Sequence, residues 1–411
     1  MSLIVKDKRF IKILAANIFS SIGSGITMIA IPWMIVTREN GASTLGYVIL
    51  LLTIILFLIA PFIGNLVDQL SRKKLLLCSE MIGFIIISLF VIVGFINGSY
   101  TTWHLVILFS SGMLYDSVFY PTLFAMNQEI FDRSQYKVLN GMMEIQGQLS
   151  AVVAGGIASI LIGKIELHWI LIMDAITYAV AFLILSTIPY IKTKYPSHEM
   201  IDTSFRKKMR EGYDYLKERP FLFLLLFSAF TPYIVIMITN YVFPIYIEAT
   251  LQADGSIYGI HEMLYGIGAL LAGMIIPVLI QRFGNIKILL AGILMFTLSM
   301  ILTAIFPVII LFLILSIIFG LGHAITRITR NILMMEIIPN DKMGRVESLF
   351  RSIGLAIQIT FLGIFTVMIP KIGTIPAVSI LSLILIVSVV TAFIGKQYFS
   401  RDLMKKYSTR K

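Results

Sequence analysis

Twelve long apolar runs, separated by short polar breaks, leave this chain one class of fold. They lie at roughly 11–36, 44–67, 74–96, 103–128, 139–163, 168–190, 221–247, 256–281, 286–305, 308–334, 346–369 and 374–395. A helix needs about 20 apolar residues to cross a bilayer, and each run reaches that length. Backbone polar groups cannot face lipid unpaired, so runs this long and this rich in Leu and Ile are expected as helices. The predicted class is therefore an all-α membrane protein with twelve spans. Of the 411 residues, 58% are apolar and 13% charged. Ordinary soluble domains are about 45–50% apolar and about 25% charged, so a soluble globule with a single core is excluded.

The charges report orientation. With the N-terminus placed inside, one set of alternate loops holds Lys6, Lys8, Arg9, Lys12, Arg72 to Lys74, Arg133 and Lys137. The same set continues with the 192–219 loop, Arg282, Lys287, Lys342, Arg345 and the basic tail from Lys396. The other set holds only Arg38, Lys164 and Lys371. That asymmetry predicts cytoplasmic N and C termini; the high Ile and Lys usage hints at an AT-rich bacterial genome, so a multi-pass protein of a bacterial plasma membrane is expected. The asymmetry also accounts for the net charge of +11 without a nucleic-acid partner. The first run is too long for a signal-peptide core and has no cleavage site followed by a soluble domain, so no cleavable leader is expected. Cys78 is the one cysteine, which excludes an internal disulfide and a cysteine metal cluster. It lies in an apolar run and is expected to pack there. No cofactor and no metal site are expected.

One loop is longer than the rest. Within residues 191–220, Phe205, Met209, Tyr213 and Leu216 recur at steps of four and three, a single apolar stripe among Arg206, Lys207, Lys208, Arg210, Lys217 and Arg219. The pattern predicts an amphipathic helix on the inner leaflet or a solvated linker helix. Either divides the chain into an N-terminal six-helix bundle (1–190), a linker (191–220), a C-terminal six-helix bundle (221–395) and a basic tail (396–411). The halves look related. Glu129-Ile-Phe-Asp132 closes the fourth run and Glu336-Ile-Ile-Pro-Asn-Asp341 the tenth, and Arg282-Phe-Gly-Asn-Ile-Lys287 is a degraded echo of the turn after the second run.

That turn is Gly64-Asn-Leu-Val-Asp-Gln-Leu-Ser-Arg-Lys-Lys74. Gly64 and Asp68 are one helical turn apart and face the same way, and a basic cluster follows at once. The stretch resembles the loop between the second and third spans of the major facilitator superfamily, Gly-x-x-x-Asp-Arg-x-Gly-Arg-Lys. Gly64, Asp68, Arg72 and Lys73 match, whereas Gln69 and Ser71 replace Arg and Gly. A second stretch, Pro339-Asn-Asp-Lys-Met-Gly-Arg-Val-Glu-Ser348, resembles the Pro-x-x-x-x-Gly-Arg-Val-x-Ser segment of the macrolide-efflux and siderophore-exporter branch, through Pro339, Gly344 and Arg345. Tyr120-Pro-Thr-Leu123, Ile172-Met-Asp174 and Glu262 look like that branch too. The resemblance covers nearly the whole chain. It implies two six-helix bundles rocking about a central site, and a proton-driven exporter of drug-like or other amphipathic small molecules that works as a monomer. It also implies that Asp68 sits near the start of the eleventh span and biases the rocking, with a weaker hold because Gln69 lacks the usual charge.

Ionisable side chains inside a span cost at least about 2.5–3.5 kcal/mol each and need a reason. Asp116 falls near the middle of the fourth run and is the first candidate for proton coupling or substrate contact; pairing with Arg327 or Arg330, or satisfaction by Ser and Tyr hydroxyls, is the alternative. The resembling antiporters often carry Arg about three residues earlier, where this chain has Met113. Glu144, followed by Gln146 and Gln148, lines a polar stripe of the fifth run, which suits either a cavity wall or interhelical hydrogen bonds. Asp174 is expected to tie helices together. Glu262, beside His261 and about two turns in from the outer surface, is a candidate to bind a cation or a proton near the outer mouth. Arg327 shares a face with Arg330 and His323; it is the deeper arginine and suits an acid or an anionic substrate, while Arg330 and Arg351 can reach the interface.

Tyr115, Phe119, Tyr120, Phe124, Tyr233 and Tyr241 suit bulky amphipathic or cationic molecules if they face a cavity rather than lipid. A siderophore or metabolite exporter and a lysophospholipid transporter are rival readings on the same fold. The chain has no phosphate-binding Gly-x-x-x-x-Gly-Lys-Ser/Thr, no metal-ligand spacing and no nucleophile elbow, so an enzyme is not expected.

Overall fold

A computed structural model describes residues 6–190 and 205–397. The helices run in the order α1 (Lys8–Val36), α2 (Gly41–Gln69), α3 (Arg72–Asn97), α4 (Thr102–Ile130), α5 (Tyr136–Leu161), α6 (Leu167–Ser186) and α7 (Phe205–Lys217). They continue with α8 (Pro220–Ile245), α9 (Gly255–Phe283), α10 (Asn285–Ile305), α11 (Ile309–Ile337), α12 (Asn340–Ile372) and α13 (Ile375–Gly395). Eleven of them are long and apolar enough to cross a membrane. The helix at the fourth run, α4, is as long as its neighbours but is not among the eleven; Asp116 lies within its apolar stretch.

The helix ends follow local chemistry. Asp7 caps α1 by accepting from Arg9 N at 2.8 Å. Thr101 and His104 form a reciprocal capping box at α4. Gly98, at φ +65°, takes the left-handed turn that ends α3. Pro244 lies at the end of α8, where the helix widens into a π turn over Tyr246–Thr250. The Pro339–Ser348 stretch is not a loop before a helix. Pro339 is the N-cap of α12, Lys342 and Met343 close on its carbonyl, and the stretch forms the first turns of the helix.

The chain divides into two compact units. Among the described residues the first holds α1 to α6 with Ile247–Gly266, and the second holds α7, α8, the rest of α9 and α10 to α13. The boundary therefore falls inside α9. The packing of the two units repeats. In the first, α1 packs on α6 and α4, and α3 on α6 and α4; in the second, α8 packs on α13 and α11, and α10 on α13 and α11. The faint internal repeat in the sequence is thus a repeat of helix neighbours. Phe10, Leu76, Phe119, Leu139 and Leu185 pack one core in the first unit, and Leu225, Leu289, Ile293, Leu333 and Ala392 the matching core in the second. Cys78 is not packed in a core: it is exposed on α3.

The linker helix α7 lies against α12. Gly212 makes this possible, since a Cβ there would come within 2.6 Å of the Arg345 carbonyl oxygen. Leu216 is buried, whereas Tyr213 is exposed. The apolar stripe read from the sequence is therefore split: Gly212 and Leu216 face the protein and Tyr213 does not. Phe205 lies outside the residues whose side chains are described.

Candidate functional site

Three acids of the first unit lie on α3, α4 and α6, and none of them forms an ion pair among the described residues. Glu80 on α3 is fully buried. It accepts from the Tyr115 hydroxyl at 3.0 Å and from Ser20 of α1 at 3.4 Å, and Ser20 and Tyr115 are 2.8 Å apart. Asp174 on α6 is 1% exposed. Its Oδ2 accepts from Thr27 of α1 at 2.7 Å, and its Oδ1 is buried without a hydrogen-bond partner. The tight approach of α1 to α6 holds it there: a Cβ on Gly23 would fall 1.9 Å from Thr177 Oγ1 and 2.9 Å from Asp174 Oδ1. Asp116 on α4 is half-buried, and no hydrogen bond to its side chain is present among the described residues. Tyr178 of α6 stacks edge-on against Tyr115, 5.1 Å between centroids, and lies within electrostatic reach of all three acids. A carboxylate buried in this way must find a cation or take up a proton, because the uncompensated charge is too costly to bury.

Beside this cluster is a polar cavity of about 400 Å³, lined by Asn17, Tyr120, Asn127, Glu144, Gln146 and Gln148 among others. Tyr120 is one turn from Asp116 on the same face of α4. Glu144 is exposed in the cavity and accepts from Gln148 at 3.1 Å. Gln146 is buried, accepting from Asn17 and donating to Ser150 at 3.0 Å. Glu144 and Gln148 line this cavity, and Gln146 ties α5 to α1 through Asn17. Glu262 and His261, on the part of α9 that belongs to this unit, are half-buried and buried respectively, and His261 stacks on Tyr258.

The turn between α2 and α3 is built around Arg72. Its guanidinium donates to Glu129 at the end of α4, at 2.6 Å, and Glu129 also accepts from the Tyr190 hydroxyl. Burial, with the Glu129 carboxylate beside it, pushes the Tyr190 phenol up to about 12. Lys73 donates to the carbonyls of Ser186 and Ile188, each at 2.7 Å, and so satisfies the last turn of α6. Asp68 differs from its neighbours. Its side chain is 80% exposed and its ion pair with Arg72 is a loose contact of 3.9 Å. A Cβ added to Gly64 would meet nothing within 4 Å.

In the second unit, Asn285 at the start of α10 donates to Glu336 at the end of α11 at 2.8 Å. This is the counterpart of Arg72 with Glu129, with an amide in place of the guanidinium. Arg330 is buried, lies 4.7 Å over the Phe230 ring, and is 3.9 Å from Glu347; Arg351 reaches the same carboxylate at 3.2 Å. Arg330 and Arg351 therefore share an acid. Arg327 is half-buried, one turn from His323, whose ring lies near Tyr233 and Phe296. Arg345 pairs with Glu211 of α7 at 2.6 Å, and Gly344 is exposed with open space around its Cα. Asp116 and Arg327 fall in different units.

Two acids absent from the expected set hold central places. Glu80 is hidden in the third apolar run, although an ionisable residue about two turns into a span is itself the signal. Glu347 occupies the variable position of the Pro339–Ser348 stretch, and nothing local in the sequence marks it as the partner of two arginines. Among the described residues no group of three His, Cys, Asp or Glu side chains is placed to hold a metal ion.

The chain matches the family model of the Major Facilitator Superfamily over residues 13–360 and 225–405. Macrolide efflux protein A of Streptococcus pyogenes is 26% identical over 353 residues, 84% of this chain and 85% of that protein. Multidrug efflux pump Tap of Mycolicibacterium fortuitum is 22% identical over 352 residues, with the same coverage. Among solved structures, a bacterial homologue of the iron transporter ferroportin in an inward-facing state superposes with a TM-score of 0.68 at 13% identity, over 97% of this chain and 99% of that one. The nucleoside transporter NupG gives 0.62 at 17% identity, over 96% and 99%. At these identities the solved structures speak to the fold alone.

Proposed function

This chain belongs to the major facilitator superfamily, and on that premise we propose that it expels amphipathic small molecules in exchange for protons. It is a multi-pass membrane transporter, not an enzyme, and its curated relatives are efflux pumps. The proposal adds twelve spans with cytoplasmic termini, alternating access, monomeric action and a proton carried by buried acid. At 29 residues α4 is long enough to cross as the fourth span at about 1.5 Å per residue. The observation that carries the coupling is the set of three acids in the first unit, Glu80, Asp116 and Asp174, without a counter-ion among the described residues.

Asp116 is the exchange residue of choice, because it is less enclosed than the other two and has no hydroxyl holding it. Asp174 and Glu80 are hydrogen-bonded to α1 and support it. The polar cavity holding Glu144 receives the substrate's hydrogen-bonding groups. Glu262 is a second acid toward the other end of the first unit, and Arg327 is the contact an anionic substrate would use. Asp68, with Gly64, Arg72 and Lys73, forms the switch turn: Arg72 and Lys73 fix it to its own unit, and exposed Asp68 is left for contacts that change during rocking.

The test is transport by purified protein in liposomes with an internal pH dye, offered macrolides, cationic dyes and siderophores, with Asp116→Asn alongside. Substrate-dependent proton movement that disappears in Asp116→Asn is expected. Proton movement intact in that variant transfers the role to Glu144 or Glu262. Substrate transport with no proton movement at all overturns the coupled reading.

A further inference from the structure

In the second unit, the linker helix α7 meets the start of α8 and the third and fourth turns of α12 around a cavity of about 210 Å³. Leu216, Phe223, Leu349 and Ile353 give it apolar walls, and Tyr213 and Lys217 stand at its rim. Leu216 and Leu349 are buried, whereas Tyr213 and Lys217 are exposed. The inside is therefore apolar and the rim carries one ammonium group.

The charges around it leave Lys217 over. Each nearby acid already faces an arginine: Glu211 pairs with Arg345 at 2.6 Å, Asp214 with Arg210 at 3.9 Å and Glu218 with Arg219 at 3.6 Å. Lys217 forms no ion pair among the described residues. Its place in the chain sets its level. Pro220 opens α8, and Pro220–Thr250 is long and apolar enough to cross a membrane, as is Lys342–Ile372 of α12. Lys217 thus stands three residues ahead of a span, next to Tyr213 and Tyr215. Tyr side chains collect at the level of lipid headgroups, and a helix as basic as α7 beside a span attracts acidic lipid.

We infer that this cavity holds part of one acyl chain of an acidic phospholipid whose phosphate lies on Lys217. Three features choose the occupant. The volume is below that of ordinary small-molecule pockets, so it suits a length of chain better than a bulky exported compound. The walls are apolar, so the part of the ligand inside must be too. The rim offers a cation that no acid among the described residues matches, so the exposed part is an anion. Such a lipid touches α7, α8 and α12 together and holds the linker helix to its unit. The site stands apart from the export reading, because binding is measured without transport.

The probes are phosphatidylglycerol and phosphatidylcholine with the same chains, titrated onto the purified full chain and counted by native mass spectrometry. One phosphatidylglycerol is expected to bind saturably, several-fold more tightly than phosphatidylcholine. Lys217→Gln should weaken it about fivefold, an ordinary amount for one basic residue near an acidic lipid surface. Ile353→Trp, which fills the cavity, should weaken it comparably. Arg210→Gln removes the same charge from a side chain that is 83% exposed and outside the cavity lining, and should leave the affinity unchanged. Trypsin should cut after Lys217 more slowly in phosphatidylglycerol nanodiscs than in phosphatidylcholine ones.

Equal retention of phosphatidylcholine overturns the recognition of charge. Equal weakening by Arg210→Gln and Lys217→Gln reduces the effect to diffuse surface attraction and overturns the site. Unchanged binding in Ile353→Trp places the chain outside the cavity, against the inference. Displacement of the lipid by an equal concentration of glycerophosphoglycerol, the headgroup without chains, overturns the lipid and makes Lys217 a contact for free phosphate esters.

Discussion

Asp116 and Glu129 lie on one helix, α4, yet substituting at them tests opposite physics. Glu129 is the buried half of a pair with Arg72. Removing Arg72 leaves a carboxylate uncompensated, so Arg72→Ala should cost about 3–5 kcal/mol and lower the midpoint of thermal unfolding in detergent by many degrees. Asp116 has no counter-charge among the described residues, so Asp116→Asn should leave the midpoint unchanged or raise it while abolishing proton movement. A large loss of stability in Asp116→Asn would show a hidden partner and sink its role as the exchange residue. Asp68, exposed and loosely paired, should contribute under about 0.5 kcal/mol, so a transport defect in Asp68→Ala with an unchanged midpoint would assign it to motion. At this scale the sequence was half legible. Charges in apolar runs announced Asp116, Asp174, Glu144 and Glu262. Their partners did not show, because Asp174 meets Thr27 and Arg72 meets Glu129 across long stretches of chain.

Among elements, the contact of α7 with α12 depends on shape more than on charge. Arg345 and Glu211 are both partly exposed, so Arg345→Ala should cost no more than about 1 kcal/mol. Gly212→Leu should do much more, since its first side-chain carbon would meet the α12 backbone. The expected result is α7 released from α12, read as faster tryptic cleavage at Lys217 in Gly212→Leu than in Arg345→Ala. Helix starts carry a pH dependence. Asp7 is held below the ordinary aspartate value by its hydrogen bond to Arg9, and Asp254, before α9, by its hydrogen bond to Ser256. A depressed folded value means stability that is present above the unfolded value, about pH 4, and lost as pH falls through the folded one. The gap in unfolding midpoint between the native chain and Asp7→Ala/Asp254→Ala should be full at pH 6 and narrow below pH 4. A gap that widens in acid would reverse the sign and the argument.

For the whole molecule, the division into two units cuts through α9. Within the first unit its early part crosses α5 at paired glycines: a Cβ on Gly155 would lie 2.6 Å from Met263 N, and one on Gly259 2.4 Å from Ser159 N. Small residues let two helices meet backbone to backbone where no hydrophobic force drives them together. Gly155→Leu is expected to prevent that approach and to stop transport while the protein still reaches the membrane and remains monodisperse. Full transport by Gly155→Leu would show that the approach is dispensable. In the repeat of helix neighbours, Arg72 with Glu129 in the first unit corresponds to Asn285 with Glu336 in the second, the same contact with one charge fewer.

The sequence alone determined that this chain crosses a membrane many times as helices, because apolar length and the cost of unpaired backbone in lipid allow nothing else. It also carried the family, through Gly64, Asp68, Arg72, Lys73 and the Pro339–Ser348 stretch, since in each stretch the matching residues lie within ten positions of one another and can be read as a run. Tertiary structure decided which acids matter together. Glu80, Tyr115, Ser20, Asp174 and Thr27 come from four helices, and helical periodicity inside lipid says little about which face meets a neighbour when every face is apolar. It also decided that Cys78 faces outward and that Gly212 and Leu216, rather than Tyr213, hold α7, because those outcomes turn on how closely two backbones pack.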